Sequence, residues 1–310
     1  MIEIIRSSEA GLERIEEPSS GCWINVVDPS TEEISRLTGR GVPLDFVLYS
    51  LDVDERSRIE RDDDGVLLVL IRIPYSVVAD GDVPYQTVPL GLILCDGFIV
   101  TVTRRQNEVI QEFTAGGPRG FSTAKRNRFI LHVLLITASR YLAYLREINK
   151  ATESLEDRLQ ASMRNRELYE LLKYQKSLVY FATALKSNEL AMERLQRIQL
   201  FHAYPDDEDL LEDVLIENQQ AIEMTNISSG ILSSMMDAFA SIISNNLNVV
   251  MKFLASITIV MSIPTIVTSF FGMNVNLPFQ NLPYAHLLVV AIFVGISAIV
   301  VYVFMKRDWF

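Results

Sequence analysis

Polar side chains spaced along an apolar run, or closing it, are the residues of this chain best placed to do chemistry. Val249–Asn274 is such a run, ending in Phe271-Gly272-Met273-Asn274 and carrying hydroxyls at Ser256, Thr258, Ser262, Thr265, Thr268 and Ser269. A neutral amide oxygen accepts hydrogen bonds from the water around a cation, whereas clustered carboxylates hold such an ion too tightly to release it. An Asn beside a Gly equally suits a helix C-cap, so the surroundings of Asn274 must decide between the two. The hydroxyls either bond back to their own helix or face a water-filled lumen.

Other chemistries find little support. His132, His202 and His286 are far apart, and Cys22 and Cys95 form no CxxC or Cys/His spacing, so two buried thiols are expected rather than a zinc site. No nucleophile–base pair or catalytic metal motif appears, so no enzyme activity and no organic cofactor are expected. Asp62-Asp63-Asp64-Gly65 reads as a turn rather than a metal site. A net charge of −11 argues against nucleic acid as a partner, since phosphate neutralisation needs clustered Lys and Arg. It leaves cations as partners.

The elements that position the run follow from its length. About twenty apolar residues span a hydrocarbon core, and Phe253–Phe271 and Leu287–Met305 both supply that without a charged residue. Pro264 is tolerated where neighbouring helices rescue the freed carbonyl, and Gly295 and Ser297 offer small contacts on the second span. Lys252 precedes the first span and Lys306-Arg307 follow the second, while Gly272–His286 has neither Lys nor Arg. The positive-inside tendency then places both termini in the cytoplasm and the connecting loop outside, in a plasma (inner) membrane, with Trp309 as an interfacial anchor. Met1-Ile-Glu-Ile-Ile-Arg carries no signal-peptide pattern.

The preceding chain reads as α+β: a mixed sheet with flanking helices, then helices that dominate the whole. Ile2–Ile5, Cys22–Val27, a short stretch near Ile59 and Val66–Ile73, closed by Pro74, read as strands; Asp28-Pro29-Ser30-Thr31-Glu32-Glu33 starts a helix. Pro89–Cys95, Asp96-Gly97 and Phe98–Thr103 form a hairpin. Leu145, Ile148, Thr152, Leu155 and Leu159, and then Leu168, Leu171, Gln175, Leu178, Ala182 and Leu185, step by three and four as core seams of a helical hairpin turning near Met163–Arg166. Tyr204-Pro205 breaks the second helix, and the acidic cluster at Asp206–Asp209 suits the N-terminus of a third. With no proline until Pro264, that helix is a stalk entering the membrane. The expected divisions are 1–124 (α/β domain), 125–205 (hairpin), 206–252 (stalk), 253–274 (pore helix), 275–286 (outer loop) and 287–310 (second span and tail).

Gly272-Met273-Asn274 between two C-terminal spans resembles the CorA family of divalent-cation channels. Ser244–Lys252 is similar to that family's stalk-to-membrane junction, Trp23-Ile24-Asn25 and Leu51–Glu60 to its N-terminal segments, and Lys306–Phe310 to its basic-aromatic tail. The resemblance implies a homopentamer in the lipid membrane, with the first span lining a pore for passive Mg2+ influx and Co2+ or Ni2+ as further cargo. It implies an outer ring of Asn274 shaped by Gly272 and Met273. Asn248, Met251 and Leu254 would line the cytoplasmic mouth, the latter two as a hydrophobic gate, and Ser262 and Thr265 the middle. Pro264 stands one residue closer to Asn274 than in the family pattern. Regulatory Mg2+ held by carboxylates between subunits is also implied, with Asp213 and Asp237 on the stalk; Tyr49 stands where the partner acid is expected, leaving Asp52, Asp45 or Asp54 as substitutes. The loop Val275–His286 lacks the family's acids, and His286 opens the alternative of a zinc- or other transition-metal-preferring relative. A membrane-anchored sensor or scaffold is the alternative from another class.

Overall fold

Among the described residues, seven strands form one sheet: β1 (Ile2–Ser8), β2 (Gly11–Arg14), β3 (Cys22–Val27), β4 (Arg58–Arg61), β5 (Leu67–Ser76), β6 (Tyr85–Leu94) and β7 (Ile99–Thr103). They lie in the order β2-β1-β3-β7-β6-β5-β4, antiparallel except for the β3–β7 pair. The computed structural model describes residues 1–8, 11–77, 83–118, 120–162, 165–198, 201, 205–273, 283–307 and 309.

Alternation along the strands builds a core on each face of the sheet. Leu67, Val69, Ile71 and Ile73 of β5 point to one core, Leu68 and Leu70 to the other. α1 (Thr31–Thr38) and α2 (Leu44–Leu51) cover the second face through Leu37, Phe46 and Val47. α2 comes so close to β6 that a Cβ on Gly91 would lie 1.8 Å from the Ser50 hydroxyl oxygen. The first face receives α3 (Glu108–Thr114), α4 (Arg126–Ser162), α5 (Asn165–Gln196) and the start of α6 (Pro205–Phe271). Trp23 sits there among Phe113 and Phe129, its indole N–H donating to Thr101 Oγ1 at 2.8 Å.

Local signals account for most element ends. Ser30 caps α1 with a capping box completed by Glu33, and Gly97 supplies the positive φ of the β6–β7 turn. Pro74 does not close β5, which continues to Ser76 and pairs Pro74 with Thr87. β4 pairs only as far as Leu70, so beyond that point no described strand pairs with β5 on that side and a missing N–H is tolerated. Asn188 of α5 serves the backbone there instead: its Oδ1 accepts from Arg72 N–H at 2.8 Å and its amide donates to Arg72 O at 2.8 Å.

The expected seams of α4 and α5 are covered at Leu145, Ile148, Leu155, Leu159, Leu171, Leu178 and Leu185. α5 ends at Gln196, earlier than the Tyr204-Pro205 break. α6 begins on Pro205, where the absent N–H costs nothing. Arg128 of α4 holds that start, with its Nε 2.5 Å from Asp207 Oδ1 and Nη2 3.3 Å from Asp206 Oδ2. Leu211, Val214, Asn218, Ala221, Thr225, Ser228 and Leu232 then recur at alternating three- and four-residue steps and are all buried.

The compact units are Met1–Ser234 and Met235–Phe310. In the second unit every α6 side chain from Ala240 to Ala255 is exposed, so the helix stops packing like a core element well before its apolar run begins. α7 (Ala285–Lys306) completes that unit.

Candidate functional site

Among the described residues three helices are long and apolar enough to cross a membrane, and burial separates them. The apolar window of α4 is 67% covered by protein, as a core helix should be, whereas those of α6 and α7 are 6% and 0% covered. Bare apolar helices of this length need lipid or further protein around them.

Within the second unit, α6 shows one partly covered stripe. Ser256, Val260, Ile263, Pro264, Val267 and Phe271 recur at three- and four-residue steps and are the half-buried or buried positions. The opposite stripe is bare: Met251, Leu254, Thr258, Ser262, Thr265 and Ser269, again at three- and four-residue steps. Both expected gate residues and both expected mid-pore residues therefore share a single face. Thr258 and Ser269, two of the hydroxyls that the sequence places along the run, belong with them by their spacing from Leu254 and Thr265. Asn248 is exposed, one step round the helix from Met251. A Cβ on Gly295 of α7 would meet nothing within 4 Å among the described residues.

The hydroxyl geometry matters chemically. Thr258 Oγ1 donates to Leu254 O at 2.8 Å and Ser262 Oγ to Thr258 O at 2.7 Å. A hydroxyl whose proton is committed to the helix keeps two lone pairs and becomes an acceptor toward whatever lies outside. A column of such acceptors suits the waters of a hydrated cation. Ser256 makes the same bond, to Lys252 O at 2.8 Å, but is fully buried on the other stripe.

At the end of α6 the backbone turns. Gly272 N–H donates to Thr268 O at 2.9 Å and Met273 N–H to Phe270 O at 3.4 Å. A Cβ on Gly272 would lie 3.2 Å from Thr268 O, the carbonyl that accepts its own N–H. Met273 is exposed. Asn274 lies outside the described residues, as do 275–282 and His202. His286 is exposed in the first turn of α7.

The candidate regulatory acids are separate. Asp213, Asp237, Asp45, Asp52 and Asp54 are all exposed, and among the described residues no three His, Cys, Asp or Glu side chains are placed to hold a metal ion. The loop that carries Asp52 is nonetheless firmly held. Arg72 Nη1 donates to the carbonyls of Val53 and Glu55 at 2.8 and 2.7 Å, and Ser57 N–H to Ser187 Oγ at 2.9 Å. Tyr49 lies under the Arg58 guanidinium, 4.1 Å from its ring centroid, so its ring serves a cation–π contact. The two thiols are buried as expected.

Comparison with known proteins is consistent with this arrangement. Residues 18–307 match the family model described as CorA-like Mg2+ transporter protein. The chain is 28% identical over 293 residues to the cobalt/magnesium transport protein CorA of Methanocaldococcus jannaschii, covering 93% of this chain and 90% of that one. It is 22% identical to the protein of the same name from Thermotoga maritima, covering 94% and 84%. The complete structure of the M. jannaschii CorA magnesium transporter superposes with a TM-score of 0.86 at 25% identity, covering 100% of this chain and 99% of that one.

Proposed function

The chain belongs to the CorA-like Mg2+ transporter family, and from that premise we propose that it is a homopentameric membrane channel for passive Mg2+ influx, with Co2+ and Ni2+ as further cargo. The observation that carries the proposal is the bare stripe of α6, where Met251 and Leu254 continue into the hydroxyls of Thr258, Ser262 and Thr265. Around a fivefold axis, that stripe lines a conduit with an apolar constriction at one end and an acceptor wall beyond it.

In this reading both termini are cytoplasmic, because Lys252, Lys306 and Arg307 flank the spans on one side. Five Asn274 amides form the outer ring and accept hydrogen bonds from the ion's water. Mg2+ gives up that water reluctantly, so selecting the hydrated ion avoids the dehydration barrier. Gly272 lies in the turn that presents the ring. Met251 and Leu254 close the conduit by dewetting. Asp213 and Asp237, exposed on α6, are left for cytoplasmic Mg2+ between subunits, with Asp52 on the strapped loop as the facing acid.

The test is ion flux from the purified full-length chain in liposomes, run with Mg2+, Co2+, Ni2+ and Zn2+. The proposal expects Mg2+ uptake down its gradient. Uptake of Zn2+ alone would favour the transition-metal relative, and no flux of any ion would favour the scaffold.

A further inference from the structure

Pro264 stands inside α6, on its partly covered stripe. It has no N–H to give to the carbonyl of Val260, four residues back, and its ring pushes that carbonyl outward from the helix. Val260 lies on the same stripe, so the displaced oxygen turns toward the neighbouring helix. Away from water, a carbonyl stripped of its donor is costly unless another group supplies a proton.

Ser297 of α7 has the complementary defect. Ser256, Thr258, Ser262 and Thr268 each donate a hydroxyl to the carbonyl four residues back in their own helix. Ser297 does not: its Oγ is shut off from the surface and has no hydrogen-bond partner. Among the described residues, the end of α6 is the other helical segment of this compact unit, and it is what covers the hydroxyl. The two spans are joined by residues 272–284 and cross in opposite directions. Ala285, Val289, Ile292, Ser297 and Val300 are among the half-buried positions of α7. Run antiparallel, they meet Phe271, Val267, Pro264, Val260 and Ser256 of α6 in that order, with Ser297 within one residue of the level of Val260. Side chains lean toward the N-terminus of their helix, and carbonyls point toward its C-terminus. The Ser297 hydroxyl and the Val260 oxygen are therefore displaced toward the same end of the pair.

We propose that Ser297 is a positioning residue for α6: its hydroxyl donates to the freed Val260 carbonyl and latches the hinge at Pro264 to α7. The conformation described here is the released one, since Ser297 has no partner in it. Closing the latch draws α6 onto α7 around Pro264 and pulls the bare stripe back. The latch stands on these two helices alone. Its effect on flux rests on the transport reading, in which drawing the stripe back widens the conduit beside Ser262 and Thr265, so the latched state conducts.

A double-mutant cycle on the full-length protein, by equilibrium unfolding in mixed micelles, tests the latch. Ser297→Ala should lower the folding constant about threefold, the worth of an average hydrogen bond between membrane helices; Ser297→Thr, which keeps the hydroxyl, should not. Pro264→Ala gives Val260 back its own helical donor, so in that background Ser297→Ala should change nothing. An equal effect of Ser297→Ala with and without Pro264, or none in either, overturns the proposal. In liposomes, Ser297→Ala should lower Mg2+ flux about twofold and Ser297→Thr should retain it; coupling with unchanged flux in Ser297→Ala overturns the positioning role. Wild-type Mg2+ flux with no coupling between 264 and 297 overturns the latch and leaves the transport reading intact. Coupling with no flux from the wild type does the reverse.

Discussion

Cysteine scanning along α6 distinguishes its two stripes. Thr258→Cys and Ser262→Cys place a thiol on the bare stripe, Val260→Cys and Val267→Cys on the half-covered one. The native thiols give a low background: Cys22 is fully buried, and burial, with the Asp62 charge, pushes the Cys95 thiol up to about 12 against the opposing Arg126. At pH 7.5 a thiol of ordinary pKa, about 8.5, is about a tenth ionised, and one near 12 is ionised in about one molecule in 30,000. Since the thiolate is the nucleophile and the more basic thiolate is intrinsically the more reactive, ionisation alone should make a water-facing cysteine about 50–100-fold faster than Cys95 with a small charged methanethiosulfonate reagent, and burial slows Cys95 further. The assay is mass-spectrometric labelling beside Mg2+ flux in liposomes at low internal Mg2+. The expected outcome is rapid labelling and blocked flux at 258 and 262, with slow labelling and persistent flux at 260 and 267. Equal labelling of Val260→Cys and Thr258→Cys, or block from the covered stripe, would refute the assignment of the conducting face.

Other predictions concern the fold and the gate. Gly91→Ala sets a methyl 1.8 Å from Ser50 Oγ and 2.7 Å from Ser50 Cβ, so thermal unfolding should show a loss of about 1–3 kcal/mol, as overpacking does; Ser50→Ala should restore only part of it, and an unchanged melting temperature would count against the close approach. His132 is half-buried beside Arg128, and burial and that cation lower its pKa from the ordinary 6.5 despite Asp207. The unfolded chain therefore binds the proton more readily, and the stability present above about pH 6.5 is lost as pH falls toward the folded value. Melting temperatures between pH 7.5 and 5.5 should fall more steeply for wild type than for His132→Gln, and parallel slopes would contradict this. Asn at Met251 or Leu254 should raise Mg2+ leak at high internal Mg2+, because a polar constriction no longer dewets; closure as tight as wild type would remove the gate.

Where local chemistry dictates structure, the sequence was legible. The Ser30 capping box, the Asp96-Gly97 turn and the seven-residue seams each specify an element without reference to distant residues, and α1, β6, β7 and the α4–α5 hairpin follow. The uncharged stretches of α6 and α7 likewise betray their environment. Pro74 was misjudged because its tolerance depends on the length of a neighbouring strand, β4, that pattern cannot supply. α2 and α3, eight and seven residues long, are too short for periodicity to reveal. At the candidate site, family resemblance named Met251, Leu254, Ser262 and Thr265, and their three- and four-residue spacing sets them on one face with Thr258 and Ser269; burial along the helix adds that this face lies opposite the partly covered one. The engagement of Tyr49 by Arg58 is a tertiary contact that no motif encodes.

The central claim is that a hydrated cation is selected by the amide at the end of α6, and Mg2+ flux through Asn274→Ala in liposomes tests it most directly. The account predicts that Mg2+ uptake disappears while the oligomer remains assembled by size-exclusion chromatography with light scattering. Uptake at the wild-type rate from the assembled variant would contradict it.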